Sequence, residues 1–430
     1  MRNRPKMKFY NLRQDSEIVS FSTAVRKGLG ENQGLFFPKS ILPMSDISKL
    51  LKLPTNQRNF EILNSFVNED LSEEQLKNVI ENTFEFPAKL VSIKDGIYCL
   101  ELFHGPTLAF KDFGAKFMAN CLKFFSTGER ITILTATSGD TGAAVANAFY
   151  GIDNIDVVIL YPIGKISELQ EKMFTTLGDN IKTVAINGTF DDCQSLVKQS
   201  FGDAELVNTV GLNSANSINI SRLLAQVCYY FDAVSQLPEE KRSEIVVSVP
   251  CGNFGNLTAG IIAKLLGLPI KRFIATTNLN DTVPRYLQNG EWSPKQTIAT
   301  LSNAMDVSQP NNWPRIEYMI ESNQFDQSLL QGISIDEEQT KASLLELQKK
   351  NYISEPHAGV AYQGLAHSLS ENEVGIFLGT AHPAKFKQAV DDILKIDLDL
   401  PKELKNCIDK QELSISMEND FNQLKNYLLG

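Results

Sequence analysis

The chain has 430 residues, 43% hydrophobic and 21% charged, which suits a soluble enzyme-sized protein of about two or three domains. Its 41 Lys and Arg against 51 Asp and Glu give a net charge of −10, which disfavours nucleic acid or an anionic membrane as partner, since both need a basic footprint. Six scattered cysteines without a C-x-x-C pair and four histidines without an H-E-x-x-H pair speak against disulfide frameworks and zinc. The segment Met1 to Ser16 lacks the apolar stretch of a signal peptide, and no apolar run approaches the ~18 residues of a membrane span. A reduced, cytoplasmic protein is expected.

Taken in chain order, the first ~85 residues read as helical. Ser72-x-x-Gln75 is a capping box that opens a helix whose face is Leu76, Val79 and Ile80. Asp95-Gly96 between Val91–Lys94 and Ile97–Leu102 signals a hairpin. Lys111 follows on a predicted helix. An α/β pattern then sets in: a strand over 131–137, the loop Ser138-Gly-Asp-Thr-Gly142, a small-residue helix over 143–150, and strands over 157–161 and 182–186. A further strand, 244–249, leads through Gly252-Asn-Phe-Gly-Asn256 into a helix over 257–266. Ser334-x-x-Glu337 is read as the cap of another long helix, and 374–378 as a last buried strand ending before Thr380. Strands alternating with helices imply a mostly parallel sheet covered on both faces.

Lys111 is the most informative residue. It lies between Phe110 and Phe113, where desolvation disfavours the ammonium form, and a neutral lysine amine forms Schiff bases with carbonyl cofactors. The ordinary alternative is a surface lysine whose stem covers apolar area. Gly252 to Asn256 lie between a strand and a helix, where glycines allow close approach and the helix start offers free N–H groups, an anion cup. The ordinary reading there is a turn with Asn256 as helix cap. Ser138 to Gly142 repeat the design, with Asp140 or Thr141 as the alternative cap. Asn216, Ser217 and Arg222 add amide, hydroxyl and guanidinium donors suited to oxyanions, unless Arg222 is only a surface salt-bridge partner. Two anion cups, a lysine and the Thr380 hydroxyl, three of them at carboxyl ends of strands, suffice for a phosphorylated aldehyde cofactor and an anionic amino acid.

The runs 104–114, 135–143, 213–222, 302–310 and 380–386, together with Gly34-Leu-Phe-Phe-Pro38, resemble the threonine synthase family across nearly the whole chain. The resemblance implies a fold-type II pyridoxal-phosphate lyase with two open, mostly parallel α/β domains and a helical N-terminal region. It implies conversion of O-phospho-L-homoserine and water to L-threonine and phosphate. Lys111 would carry the cofactor, Gly252, Asn253, Phe254, Gly255 and Asn256 hold its phosphate, and Thr380 face its pyridine nitrogen. Asp140 would contact the cofactor's ring oxygen, Ser138 and Thr141 the amino-acid substrate, and Asn216, Ser217 and Arg222 the substrate phosphate. The implied domains are a mainly helical region at 1–90, a large cofactor domain from 91–117 and 220–430, and a small substrate domain at 118–219. A monomer or homodimer with a small-molecule substrate is expected. The chain departs from the family pattern at Ile163 and Glu168, where Arg and Pro are expected, and at Asn256, which is Asp in some members. A serine or threonine dehydratase of the same fold, or a catalytically silent homologue, are the competing readings.

Overall fold

The computed structural model describes residues 7–67, 70–126 and 128–430. Two parallel-rich sheets carry the molecule. The larger has the order β12-β11-β10-β13-β5-β4, built from Leu330–Ser334, Ile270–Thr277, Ile245–Pro250, Val374–Gly379, Ile97–Glu101 and Lys89–Lys94. Its first five strands pair in parallel, and β4 runs antiparallel to β5. The turn at Asp95-Gly96 is the expected hairpin, with Gly96 at a φ of 75°. The second sheet, β14-β8-β7-β6-β9, is parallel throughout. It consists of Ile415–Glu418, Ile181–Asn187, Ile155–Pro162, Ile131–Ala136 and Leu212–Asn213. Central strands such as β10 and β13 are buried along their whole length, as strands covered on both faces must be.

Three features differ from the sequence reading. The N-terminal stretch contains helices, including Glu73–Thr83 with its Ser72–Gln75 capping box. It also holds a small antiparallel sheet, β2-β1-β3, from Gln14–Val19, Phe9–Asn11 and Phe36–Pro38. Two of its strands have only three residues, too short to show a period of two, and the third, Gln14–Val19, is mostly polar. β14, close to the C-terminus, joins β8 in the second sheet, so that sheet is not drawn only from the continuous stretch 118–219. The helix Glu337–Lys349 is capped by Asp336 in a box with Gln339. Ser334 instead ends β12 and donates its hydroxyl to the Asn278 carbonyl at 2.9 Å.

Between the sheets, the helices Lys111–Phe125 and Ile220–Gln236 pack closely. A Cβ at Gly114 would lie 2.6 Å from the Arg222 carbonyl oxygen, so only glycine allows this approach. Phe113 fills the same seam, with ring centroids 6.1, 4.7 and 5.8 Å from Phe84, Phe86 and Tyr229. This contact brings Lys111 and Arg222 into one cleft.

Candidate functional site

Lys111 opens its helix, and the turn before it is tied to the end of β13. Phe110 N–H donates to the Thr380 carbonyl at 2.9 Å, and His382 N–H to the Leu108 carbonyl at 3.0 Å. Leu108 itself sits at a φ of 58°, a conformation costly for a bulky residue and typical of functional sites. The Lys111 amine stands 5.6 Å from the Phe110 ring and donates to no acceptor among the described residues. Burial brings its pKa down to about 8; Asp140 opposes this, while Arg222 and Lys385 push the same way. A useful fraction is therefore neutral near pH 7, which a surface lysine would not offer.

Asp140, Ser138 and Thr141 come from the turn between β6 and the helix Asp140–Phe149. The expected side-chain cap is supplied by neither Asp140 nor Thr141. Thr137 Oγ1 accepts the N–H groups of Gly139 and Gly142 at 2.9 and 2.7 Å, which leaves Ser138 and Thr141 free to face the cleft. Asp140 meets Lys385 Nζ at 2.6 Å and accepts from Gln170 Nε2 at 3.0 Å. Burial alone would raise its pKa, but Lys385 and Lys111 outweigh it and hold the carboxyl well below the usual range.

The loop after β10 runs into the helix Gly255–Leu265, with Phe254 at a φ of 61° just before it. Asn256 is not the helix cap. It lies inside the first turn, where its amide donates to the Pro250 carbonyl at 2.8 Å and accepts from Leu257 N–H at 3.0 Å. A Cβ at Gly252 would stand 2.9 Å from the Ala304 carbonyl oxygen, so the loop fits under segment 302–307 only with glycine there. The helix start presents free N–H groups and the positive end of the dipole.

Opposite, Arg222 lies in the first turn of Ile220–Gln236 and is buried. It donates to the Ala215 carbonyl, and its Nε has no partner. No carboxylate pairs with it among the described residues, so the surface salt-bridge reading fails. Burial lowers its pKa to about 10, opposed by Asp112, and it remains a cation. Asn216 is oriented by Thr135 Oγ1 at 2.9 Å and the Ala136 carbonyl at 3.1 Å. Ser217 Oγ accepts from Asn312 Nδ2 at 3.2 Å.

Every residue proposed for binding or catalysis therefore lines one cleft: Lys111, Ser138, Asp140, Thr141, Asn216, Ser217, Arg222, Gly252 to Asn256 and Thr380. Ile163 is exposed and Glu168 starts a helix; neither lines it. A more open groove beside Arg26 and Arg130 contains none of these residues. Sequence reasoning missed Gln226 and His357, which also line the cleft, and Lys385, which pairs with Asp140. His357 accepts Ala304 N–H on Nε2 at 3.1 Å, which places its proton on Nδ1 toward Glu355, 2.5 Å away. Lys385 stood within a quoted motif, but burial cannot be read from a lone lysine.

These residues fit pyridoxal phosphate. A partly neutral lysine faces a glycine-built anion cup at a helix start, and the Thr380 hydroxyl is uncommitted among the described residues. The comparisons agree. A pyridoxal-phosphate dependent enzyme profile matches residues 82–378, and threonine synthase N-terminal and C-terminal profiles match 8–84 and 358–428. The threonine synthase of Haemophilus influenzae is 59% identical, covering 98% of this chain and 100% of that protein. The Escherichia coli threonine synthase crystal structure superposes with a TM-score of 0.96 at 57% identity, covering 98% of this chain and 99% of that one. A pyridoxal-phosphate-bound threonine synthase from Brucella melitensis gives a TM-score of 0.91 at 30% identity, each chain covered to 99%. A geometry built from two anion cups around one lysine, and full-length similarity at this level, place the chain in the threonine synthase family.

Proposed function

We propose that the cleft converts O-phospho-L-homoserine and water to L-threonine and phosphate. The observation that carries this reading is the buried, uncompensated Arg222 facing the same cleft as the glycine loop. The glycine loop serves the cofactor phosphate and the 138–141 helix start serves a carboxylate, so the Arg222 donors have a use only if the substrate carries a further anion. A dehydratase acting on serine or threonine gives Arg222, Asn216 and Ser217 no anion to hold.

Pyridoxal phosphate, when bound, supplies the electron sink for carbanion chemistry. Lys111 would carry it, Gly252 to Asn256 would hold its phosphate, and the Thr380 hydroxyl and Asp140 would serve its ring nitrogen and ring oxygen. Ser138 and Thr141 hold the substrate carboxylate with hydroxyl and helix-start N–H donors. Asn216, Ser217 and Arg222 hold the substrate phosphate through charge-assisted hydrogen bonds. Lys111, once its amine is free, takes the proton from the substrate α carbon and moves protons at the β carbon. Phosphate leaves from the γ carbon into the Arg222 cup, that carbon takes up a proton to become a methyl group, water adds at the β carbon, and a proton returns to the α carbon. Asp140 is held ionised, and Lys111, with its pKa brought down to about 8, titrates near neutral pH.

The described residues contain no helix long and apolar enough to cross a membrane, and all six cysteines are free and buried. These features support a cytoplasmic enzyme with a small-molecule substrate. Incubation with O-phospho-L-homoserine tests the reading: equal amounts of phosphate and threonine are expected. Keto acid and ammonia released from threonine, with no phosphate released from the phospho-amino acid, would overturn it.

A further inference from the structure

The turn 215–219 has an unusual set of neighbours. The carbonyl of Ala215 accepts from Arg222. The carbonyl of Ile218 accepts from Arg315 Nη2 at 2.6 Å, and that of Ser217 lies 3.5 Å from Arg315 Nη1. Two guanidinium groups thus occupy three carbonyls of this segment. The N–H groups of Ser217 and Ile218 find no acceptor among the described residues, and the positive end of the helix Ile220–Gln236 begins just beyond them.

Arg315 is fully buried. Its other contacts are the Phe36 carbonyl at 3.0 Å and Asn312 Oδ1 at 2.5 Å, and its Nε has no partner. Among the described residues no carboxylate pairs with it. Burial alone lowers its pKa, to about 9, so it is charged at neutral pH. An unpaired buried cation is costly, and a nearby anion removes that cost. Asn312 ties this charge to both anion cups: its Nδ2 donates to Ser217 Oγ at 3.2 Å, and its N–H donates to the Asn253 carbonyl at 3.1 Å.

We propose that Arg315 and Asn312 form a positioning pair that fixes the spacing of the two anion cups and lends the substrate-phosphate cup a second buried positive charge. Arg315 does not line the cleft, so it acts through the 216–218 turn. The inference rests on the reading that the substrate is a phosphate ester.

Asn312→Asp tests it with little change in shape. The new carboxylate neutralises Arg315 in place, so the protein is expected to melt no lower than the parent. The KM for O-phospho-L-homoserine and the inhibition constant of inorganic phosphate are expected to rise together by about tenfold or more, as loss of an unscreened charge in a low-dielectric site implies. Cofactor affinity should stay within a factor of about three. Arg315→Gln should raise the same two constants, and Arg315→Lys should recover part of the loss. If Arg315→Gln fails to fold, Asn312→Asp decides. An Asn312→Asp protein that melts well below the parent, or one with unchanged KM and phosphate inhibition, overturns the proposal. A parent enzyme that releases no phosphate from O-phospho-L-homoserine would instead overturn the underlying functional reading.

Discussion

Lys111 and Arg222 share a cleft, and the different work proposed for each can be measured. For Lys111, the amine must be neutral to attack the cofactor's aldehyde carbon, and its pKa is about 8. The rate at which apo-protein takes up pyridoxal phosphate should therefore fall roughly tenfold per pH unit below that value and level off above it. A rate still climbing toward pH 10 would mean an ordinary exposed lysine. Lys111→Ala should fold, because Ala suits a helix, yet lose at least about 10²–10⁴-fold in turnover through acid–base catalysis alone. Arg222→Ala should raise the substrate KM by roughly 10–150-fold, the value of about 1.5–3 kcal/mol for a hydrogen bond to a charged group, and leave cofactor affinity nearly unchanged. A fall in cofactor affinity with unaltered substrate constants would reverse the assignment of the two cups. These residues were legible in the sequence because each is a rare type beside glycines or at a strand end. Their partners were not legible: nothing local in sequence says that Lys385 is buried against Asp140 or that Arg222 lacks a carboxylate.

Elements were readable wherever their signal was local. The Asp95-Gly96 hairpin and the Ser72–Gln75 box need only neighbouring residues, and both formed. Caps failed where another hydrogen bond, local or long-range, competed. Ser334 was taken by β12 and the Asn278 carbonyl, Asn256 by the Pro250 carbonyl, and Thr137 capped the turn after β6. The ion pair between Asp140, at the start of a helix on the second sheet, and Lys385, in the 3-10 turn Pro383–Phe386 beyond β13, has a consequence for stability. Asp140 has a folded pKa below its unfolded value of about 4. Its contribution is therefore fully present above pH 4 and is lost as pH falls through the folded value. Lys385→Met removes the partner and leaves a buried carboxylate, which should cost about 3–5 kcal/mol at neutral pH. The deficit relative to the parent should shrink as pH falls and the carboxyl of the variant takes up a proton. Thermal melts at pH 7 and pH 4 check this; a deficit equal at both pH values would show that lost packing, not charge, is the cause.

At the scale of the molecule, the carboxyl ends of β6, β10 and β13 converge on one cleft, as ligand sites in open α/β sheets do. The alternation of strands and helices made this legible. The sheet membership of β14 and the three-residue strands near the N-terminus did not show, because their pairing is long-range and their periodicity too short to register. The residues proposed for substrate, Ser138, Thr141, Asn216 and Ser217, lie at the second sheet and its flanks. Those proposed for the cofactor phosphate and ring nitrogen end strands of the larger sheet. Substrate spanning both sets gains contacts when they approach, so its binding should favour a closed arrangement that keeps stray water out. We therefore expect the unit around residues 118–219, with β14 attached, to rotate toward the larger sheet when a substrate analogue binds, while the segment at Lys111 stays nearly still. Superposable free and analogue-bound structures, with the substrate-phosphate cup filled in the bound one, would contradict this.

Phosphate is expected to depart by breaking the carbon–oxygen bond at the γ carbon, with water arriving later at the β carbon. Turnover of O-phospho-L-homoserine in water enriched in heavy oxygen tests this directly, with both products analysed by mass. Label is expected in the threonine hydroxyl and none in the released phosphate. Label in the phosphate, with homoserine as the co-product, would mean that water attacks phosphorus and that the cleft is a phosphatase.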